Sequence, residues 1–290
     1  MIYANTAAML STTHELVTLT RGDVSLKHIE SGEVMHSNVG PREEARLLYV
    51  EQSRLAERIC SGEGELVLYD VGLGAATNAL AALQCHRTVF TNEKTRPLRL
   101  ISFESDLSGL RLAYEHRQSF PYFDGLENAV ESLLTKRHWS GDGIEWQVIE
   151  GDFRETARGI PLAEVVFFDF YSPKTNSDLW NVTMFNHVRE LTTPNASLYT
   201  YSASTRVRSA LLAAGFFVGY GQSTGTKTDT TVAARRLEDL LRPLDARWLE
   251  RLRRSDRPLP HGWPVEKRDE LITLIEKHPQ FQNMSQKNEI

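Results

Sequence analysis

The chain has 290 residues, 41% of them hydrophobic and 24% charged, with a formal net charge of −5. That size and balance suit one large globular domain with appendages, or two small ones, and the acidic sign argues against a surface that grips nucleic acid over its whole extent. No run reaches the roughly 18 uncharged apolar residues of a membrane span, and Cys60 and Cys85 lack the spacing of a disulfide framework or a zinc site.

The opening MIYANTAAMLSTTHELV has no basic start leading into a long apolar stretch, so no secretory leader is expected and the expected location is cytoplasmic. Residues 16–29 predict a hairpin, LVTLT and VSLKH flanking Arg21-Gly22-Asp23. Residues 42–60 have helical spacing, with Leu47, Leu48, Val50, Leu55 and Ile59 as the apolar stripe. From residue 66 onward strands and helices alternate. Strands are predicted at Leu66–Asp70, Leu100–Glu104, Ile144–Glu150, Val165–Phe170, Ser197–Tyr201, Phe216–Tyr220 and Thr230–Ala234. Helices are predicted at 76–84, at 106–118 followed by 125–136, and at 153–158, 178–191 and 204–214. Each parallel connection needs a crossover, so this order implies a parallel sheet covered on both faces. Only the loop Gly221–Asp229 joins the last two strands, which should therefore run antiparallel. The expected fold is α/β and Rossmann-like, a seven-stranded mostly parallel sheet with a terminal antiparallel hairpin, and it resembles the strand plan of class I methyltransferases. Residues 235–257 look helical with an interruption at Pro243; Pro258, Pro260 and Pro264 end the helix, and the polar tail 276–290 is expected to fray. Three regions follow: a hairpin-and-helix extension (1–60), the sheet core (61–234) and a basic helical segment with its tail (235–290).

Ligands of such sheets lie beyond the carboxyl ends of the strands. The first strand ends in Asp70-Val-Gly72-Leu-Gly74-Ala-Ala-Thr-Asn78, where the glycines allow a tight turn and close approach of backbone to ligand. The third glycine of a dinucleotide fingerprint is replaced by Thr77, so the turn alone is equally a plain strand-to-helix connection. Glu104 ends the second strand, 32 positions after Gly72 rather than the roughly 20 of dinucleotide folds, an excess that fits a surface insertion around Arg87–Arg99. Its carboxylate could accept from both hydroxyls of a ribose, or be an ordinary strand end. At the third strand end, Asp152 could accept from an adenine amine with Phe153 flanking the base, or Asp152 could simply cap the next helix. The fourth ends in Asp169-Phe-Tyr-Ser-Pro-Lys-Thr-Asn176, an unusual loop in which Asp169 could orient an amine and take its proton, since an ammonium has no lone pair with which to attack. Tyr171, Trp180 and Tyr201 could stack on an acceptor base or pack in the core.

These residues resemble a known family, the tRNA wobble-uridine methyltransferases: the methyltransferase half of the bifunctional MnmC proteins and their standalone relatives. The resemblance rests on GEVMHSNVGPREEARLLYVEQSRL (32–55), DVGLGAATNALAAL (70–83), ISFESDL (101–107), FFDFYSPKTNSDLW (167–180), TYSASTRVRSALLAAGF (200–216), GTKTDTTVA (225–233) and LDARWLERLRRSDRPLP (244–260). It implies methyl transfer from S-adenosyl-L-methionine to the aminomethyl group at C5 of a wobble uridine. Asp70, Gly72, Gly74, Asn78, Glu104, Asp152, Phe153 and Asp169 would hold the cofactor, with Asp169 also catalytic, and Tyr171, Lys174, Asn176, Trp180 and Tyr201 would shape the acceptor side. The loop departs from the bifunctional members at Phe170, where they carry Gly, at Thr175, where their Lys tends to stand, and at Ser177, where they carry Pro. An FAD-dependent precursor-forming domain is expected to be absent from this chain, so that another enzyme would supply the aminomethyl group.

The expected partner is tRNA, met by a local basic patch of Arg235, Arg236, Arg242, Arg247, Arg251, Arg253, Arg254 and Arg257 with Lys267-Arg268. Interleaved Glu238, Asp239, Asp245, Glu250 and Asp256 allow the plainer reading of a solvated mixed-charge face. His138, His187 and His261 are scattered, and neither a metal nor a membrane contact is expected. Alternatives are transfer to a small amine by a methyltransferase or aminopropyltransferase, and a non-catalytic relative of the same fold.

Overall fold

The computed structural model describes residues 13–90, 95–223, 229–255 and 259–282. An N-terminal antiparallel pair, β1 (His14–Thr18) and β2 (Val24–His28), aligns His14 with His28. A short helix α1 (Pro41–Ala45) follows, then a π-helical turn over Arg46–Glu51 and α2 (Leu55–Cys60). The continuous helix expected over 42–60 is therefore broken: the backbone turns left-handed at Arg54, where φ is +53°. The wider turn brings Leu48 and Tyr49 both inward, and the Tyr49 ring packs 5.2 Å from that of Phe167.

The body is a sheet of β3 (Leu66–Val71), β4 (Leu98–Glu104), β5 (His138–Gly141), β6 (Ile144–Glu150), β7 (Ala163–Phe168), β8 (Thr192–Thr200), β9 (Phe217–Tyr220) and β10 (Thr231–Ala234). The order across it is β5-β6-β4-β3-β7-β8-β10-β9, eight strands where seven were expected. The extra one, β5, is a short edge strand antiparallel to β6, joined to it through Asp142 and Gly143, both with positive φ. An Asp-Gly pair is the strongest short-range hairpin signal. The central pairs β6·β4, β4·β3, β3·β7 and β7·β8 are parallel, and β10 runs antiparallel to both β8 and β9, as the short final connection requires. Residues 224–228 of that connection lie outside the described residues, as do 91–94 of the expected insertion.

Every residue of β3 is buried, as expected of a central parallel strand covered on both faces. Leu66 and Leu68 join one core, with α3 (Thr77–Val89), α4 (Ser108–Glu115) and α5 (Glu127–Lys136). Val67, Tyr69 and Val71 face the other, with α6 (Phe153–Thr156), α7 (Val182–Glu190) and α8 (Thr205–Ala213). Side chains define the helix starts. Asp152 accepts from the Arg154 N–H and Asn181 from that of Met184, satisfying amides that the first turn leaves without partners.

The C-terminal region differs from the sequence expectation. Only α9 (Ala246–Arg254) is helical between 235 and 255 apart from a 3₁₀ turn, because residues 242–244 run alongside β9: the Tyr220 N–H donates to the Arg242 carbonyl at 2.8 Å and that of Leu244 to Val218 at 2.9 Å. Arg257 and Pro258 lie outside the described residues. Beyond the prolines the chain is helical again in α10 (Arg268–Glu276) and α11 (Pro279–Gln282). The expected fraying does not begin at 276: Gln280 is fully buried, its amide donating to the carbonyls of Val218 (2.7 Å) and Leu244 (2.9 Å) while its oxygen accepts from the Val218 N–H (2.8 Å). Residues 283–290 lie outside the described residues.

Candidate cofactor and acceptor site

The carboxyl ends of β3, β4 and β7 meet at a cavity of about 700 Å³. Gly72, Gly74, Asn78, Glu104, Asp169, Tyr171, Asn176 and Tyr201 line it. A second cavity of about 330 Å³ adjoins it, sharing Glu104, Phe170 and Leu179 and adding Asp152 and Phe153. Glu104, Asp152 and Asp169 thus stand at one edge of the sheet.

The turn after β3 is shaped by Gly72, whose φ is +94° and at which a Cβ would lie 2.7 Å from the Asp169 carbonyl oxygen. Only glycine takes that conformation and that approach without strain. Glu104 closes the turn from the side. One carboxylate oxygen accepts from the Gly74 N–H at 2.9 Å, the other from the Ser105 and Asp106 amides at 2.8 and 3.1 Å. Burial nonetheless pushes its carboxyl up, against the lowering effect of those bonds. Asp169 is bonded through its own N–H to Val71 and accepts from the Asn78 amide at 2.6 Å. Burial first, then the charge of Asp169, pushes the phenols of Tyr49 and Tyr201 well up, so both are protonated at neutral pH.

Three sequence-predicted residues sit away from the cavities. Asp70 shares the face of Leu66 and Leu68, is 1% exposed, and accepts from the Ser102 hydroxyl at 2.9 Å. Burial pushes its carboxyl up to about 8, with Asp169 and Glu104 adding to the rise, so it underlies the turn instead of facing a ligand. Trp180 is fully buried, its ring 5.1 Å from Phe168 and 5.9 Å from Tyr201, and its indole donates to the Tyr171 carbonyl; it is a core side chain holding the loop from below. Lys174 is exposed and lines neither cavity. Asp152 both borders the second cavity and caps α6, and its carboxylate is held by the Arg154 guanidinium, which keeps it below the usual range.

Sequence reasoning missed one whole wall. His14, His28, Glu33, Met35, His36 and Glu44, from the hairpin and the segment behind it, line the larger cavity together with the strand ends. Glu33, Glu44, Glu104, Asp106 and Asp169 line it together with Arg21 and the three histidines. His36 is bonded to Ser25 (2.8 Å) and Thr77 (3.1 Å), and burial lowers it to about 4, against the raising effect of Glu44, so its imidazole is neutral near pH 7. The acidic lining suits a cationic ligand. The signal available was weak: the match over 32–55 included Glu33, Met35, His36 and Glu44 but not His14 or His28, and nothing in their spacing ties a hairpin to a cavity.

The expected basic patch is largely compensated. Arg236 pairs with Asp239, Arg242 with Asp229, Arg253 with Glu276 and Arg254 with Glu250. The plainer reading holds for those four. Among the described residues no group of three or more His, Cys, Asp or Glu could hold a metal ion, and no helix is long and apolar enough to cross a membrane.

Residues 127–236 match a family model described as an S-adenosyl-L-methionine-dependent methyltransferase. The bifunctional tRNA 5-methylaminomethyl-2-thiouridine biosynthesis protein MnmC of Methylibium petroleiphilum is 27% identical over 223 residues, 70% of this chain and 32% of that protein. Vibrio campbellii MnmC is also 27% identical, over 68% of this chain and 32% of its own length. The crystal structure of MnmC2 from Aquifex aeolicus superposes with a TM-score of 0.71 at 24% identity, covering 91% of this chain and 85% of that one. The chain is similar in sequence to MnmC proteins over about two thirds of its length and shares the fold of MnmC2. It spans about a third of the length of the bifunctional relatives. The chain has the fold the sequence predicted, with its glycine turn, Glu104 and Asp169 at the strand ends where this fold class holds its ligand.

Proposed function

We propose that this domain uses S-adenosyl-L-methionine to methylate the aminomethyl group at C5 of a tRNA wobble uridine. The observation that carries this reading is the meeting of Glu104 and Asp169 in one acidic cavity. The residues present fit the cofactor: a glycine turn whose backbone can approach closely, an acid at the second strand tip, and an adjoining cavity with Asp152 and Phe153. When bound, it supplies an already activated sulfonium methyl.

In this reading Glu104 accepts from the ribose hydroxyls, and Phe153 and Asp152 meet the adenine. Asp169 accepts a hydrogen bond from the incoming amine, orients it, and takes the proton that an ammonium must lose before its nitrogen can attack. Asn78 fixes the carboxylate for that task. The fully buried Trp180 holds the loop that carries Asp169, and Phe170, which borders both cavities, narrows the acceptor side. The wobble base leaves its stack to enter. The C-terminal segment is the proposed tRNA contact: His261 bridges to Asn181 at the end of the acceptor loop, and the exposed Arg247 and Arg251 of α9 belong to the same segment. Affinity should then fall with salt.

The test is mass spectrometry of wobble nucleosides from tRNA bearing 5-aminomethyluridine, incubated with the protein and S-adenosyl-L-methionine. One added methyl group that disappears in Asp169→Ala is expected; no methylated wobble nucleoside in the wild type defeats the proposal.

A further inference from the structure

Between the end of β7 and the 3₁₀ turn Ser177–Leu179 the chain has no ladder to fix it, yet Phe170, Tyr171, Thr175 and Asn176 all line the larger cavity. Two side chains from the N-terminal segment reach across to it. Glu33 accepts from the Ser172 N–H at 2.8 Å, the Ser172 hydroxyl at 3.1 Å and the Thr175 hydroxyl at 2.6 Å. His14 Nε2 lies 2.6 Å from the Tyr171 hydroxyl.

We propose that His14 and Glu33 are positioning residues, which clasp the 169–176 loop and so build the acceptor wall of the active site from outside the methyltransferase core. Their acceptor role rests on the function proposed above; the clasp itself does not.

The chemistry of each contact supports a fixed clasp. Glu33 offers two oxygens to three donors from a four-residue stretch, and hydrogen bonds to a charged acceptor are the stronger kind. One of those donors is the Ser172 backbone N–H, so the bond fixes main chain as well as side chains. His14 is 6% exposed, and burial and the neighbouring His28 lower its pKa while Asp106 raises it. A neutral imidazole can accept from Tyr171 through Nε2 while Nδ1–H donates onward. The Nδ1 side is occupied: the Thr13 hydroxyl lies at 2.8 Å and that of Ser108 at 3.3 Å, and both hydroxyls donate to Asp106, at 3.1 and 2.6 Å. A chain of bonds therefore runs from the acceptor loop through β1 to the N-terminus of α4, just past Glu104. The Tyr171 ring is further held against His28, 5.3 Å between centroids. None of these bonds involves Gly72, Gly74 or Asp152.

The experiment compares wild type, Glu33→Ala, Glu33→Gln and Tyr171→Phe in the full chain by three readouts. These are deuterium uptake of peptides covering 169–176, the Kd of S-adenosyl-L-methionine by calorimetry, and kcat/KM for tRNA. Glu33→Ala should speed loop exchange at least tenfold and lower kcat/KM by roughly 10–100-fold, with the cofactor Kd within about threefold of wild type. Glu33→Gln, which keeps one acceptor oxygen, should fall between, and Tyr171→Phe should release the loop less than Glu33→Ala. Unchanged loop exchange in Glu33→Ala overturns the clasp, as does faster exchange spread equally over β3 and β7. If the wild type leaves the tRNA unmethylated, the substrate reading fails, while loop exchange still decides the clasp.

Discussion

The side-chain amide of Asn78 donates to the Asp169 carboxylate at 2.6 Å, joining the first turn of α3 to the loop after β7. The glycine turn and the acceptor loop are thereby one unit.

If Asp169 takes the proton of the incoming amine, Asp169→Asn should lower the methylation rate by roughly 10²–10⁴-fold. The new side chain can still accept from Asn78, so the melting temperature should move little. The residual rate should climb with pH, because solvent then deprotonates the amine. A pH-independent residual rate would assign Asp169 to orientation alone.

Glu104→Gln retains the size of the side chain but loses the charge and one acceptor oxygen. Hydrogen bonds to a charged group contribute about 1.5–3 kcal/mol each. The Kd for S-adenosyl-L-methionine, followed by calorimetry, should rise roughly 10–100-fold. An unchanged Kd would remove Glu104 from the cofactor site.

Gly72→Ala would set a methyl group 2.7 Å from the Asp169 carbonyl at a φ of +94°. Backbone strain of this kind costs about 1–3 kcal/mol. Denaturant unfolding should show a loss of at least that size, together with weaker cofactor binding. Gly64→Ala, with no atom within 4 Å of its Cβ, is the control for a left-handed position in open space.

Two buried groups make stability depend on pH in opposite directions. Asp70 is raised from 3.8 to about 8, so the unfolded chain ionises first, and this contribution is whole below about pH 4 and is lost as pH rises through 8. His36 is lowered from 6.5 to about 4, so the unfolded chain binds a proton first, and stability is lost as pH falls from 6.5 to 4. Asp70→Asn should therefore be more stable relative to wild type at pH 9 than at pH 5. His36→Gln should remove part of the acid-side slope. Equal differences at all pH values, read from urea midpoints, would contradict both assignments.

Much of the sheet was legible because its strands are short buried runs separated by helical spacing. Leu66–Val71 and Ile144–Glu150 lie within a residue of expectation, and the antiparallel ending followed from loop length alone. The Asp142-Gly143 turn was present in the sequence, but the strand before it, His-Trp-Ser-Gly, is too short and too exposed to show a period. The strand-end acids could be placed because topology fixes which ends meet. The hairpin wall could not: Glu33 and Ser172 are 139 positions apart, and only packing brings them together. Trp180 was misplaced for a related reason, since an aromatic in a functional loop looks the same whether it faces the ligand or the core.

Gln280 bonds to Val218 and Leu244 through one side chain, completing the cover that residues 242–244 lay along the outer strand β9. The end of the described chain thus closes the outer edge of the sheet. A protein cut after His278 should keep its cofactor pocket yet gather into dimers or larger species as concentration rises, a change that light scattering would register before any activity assay.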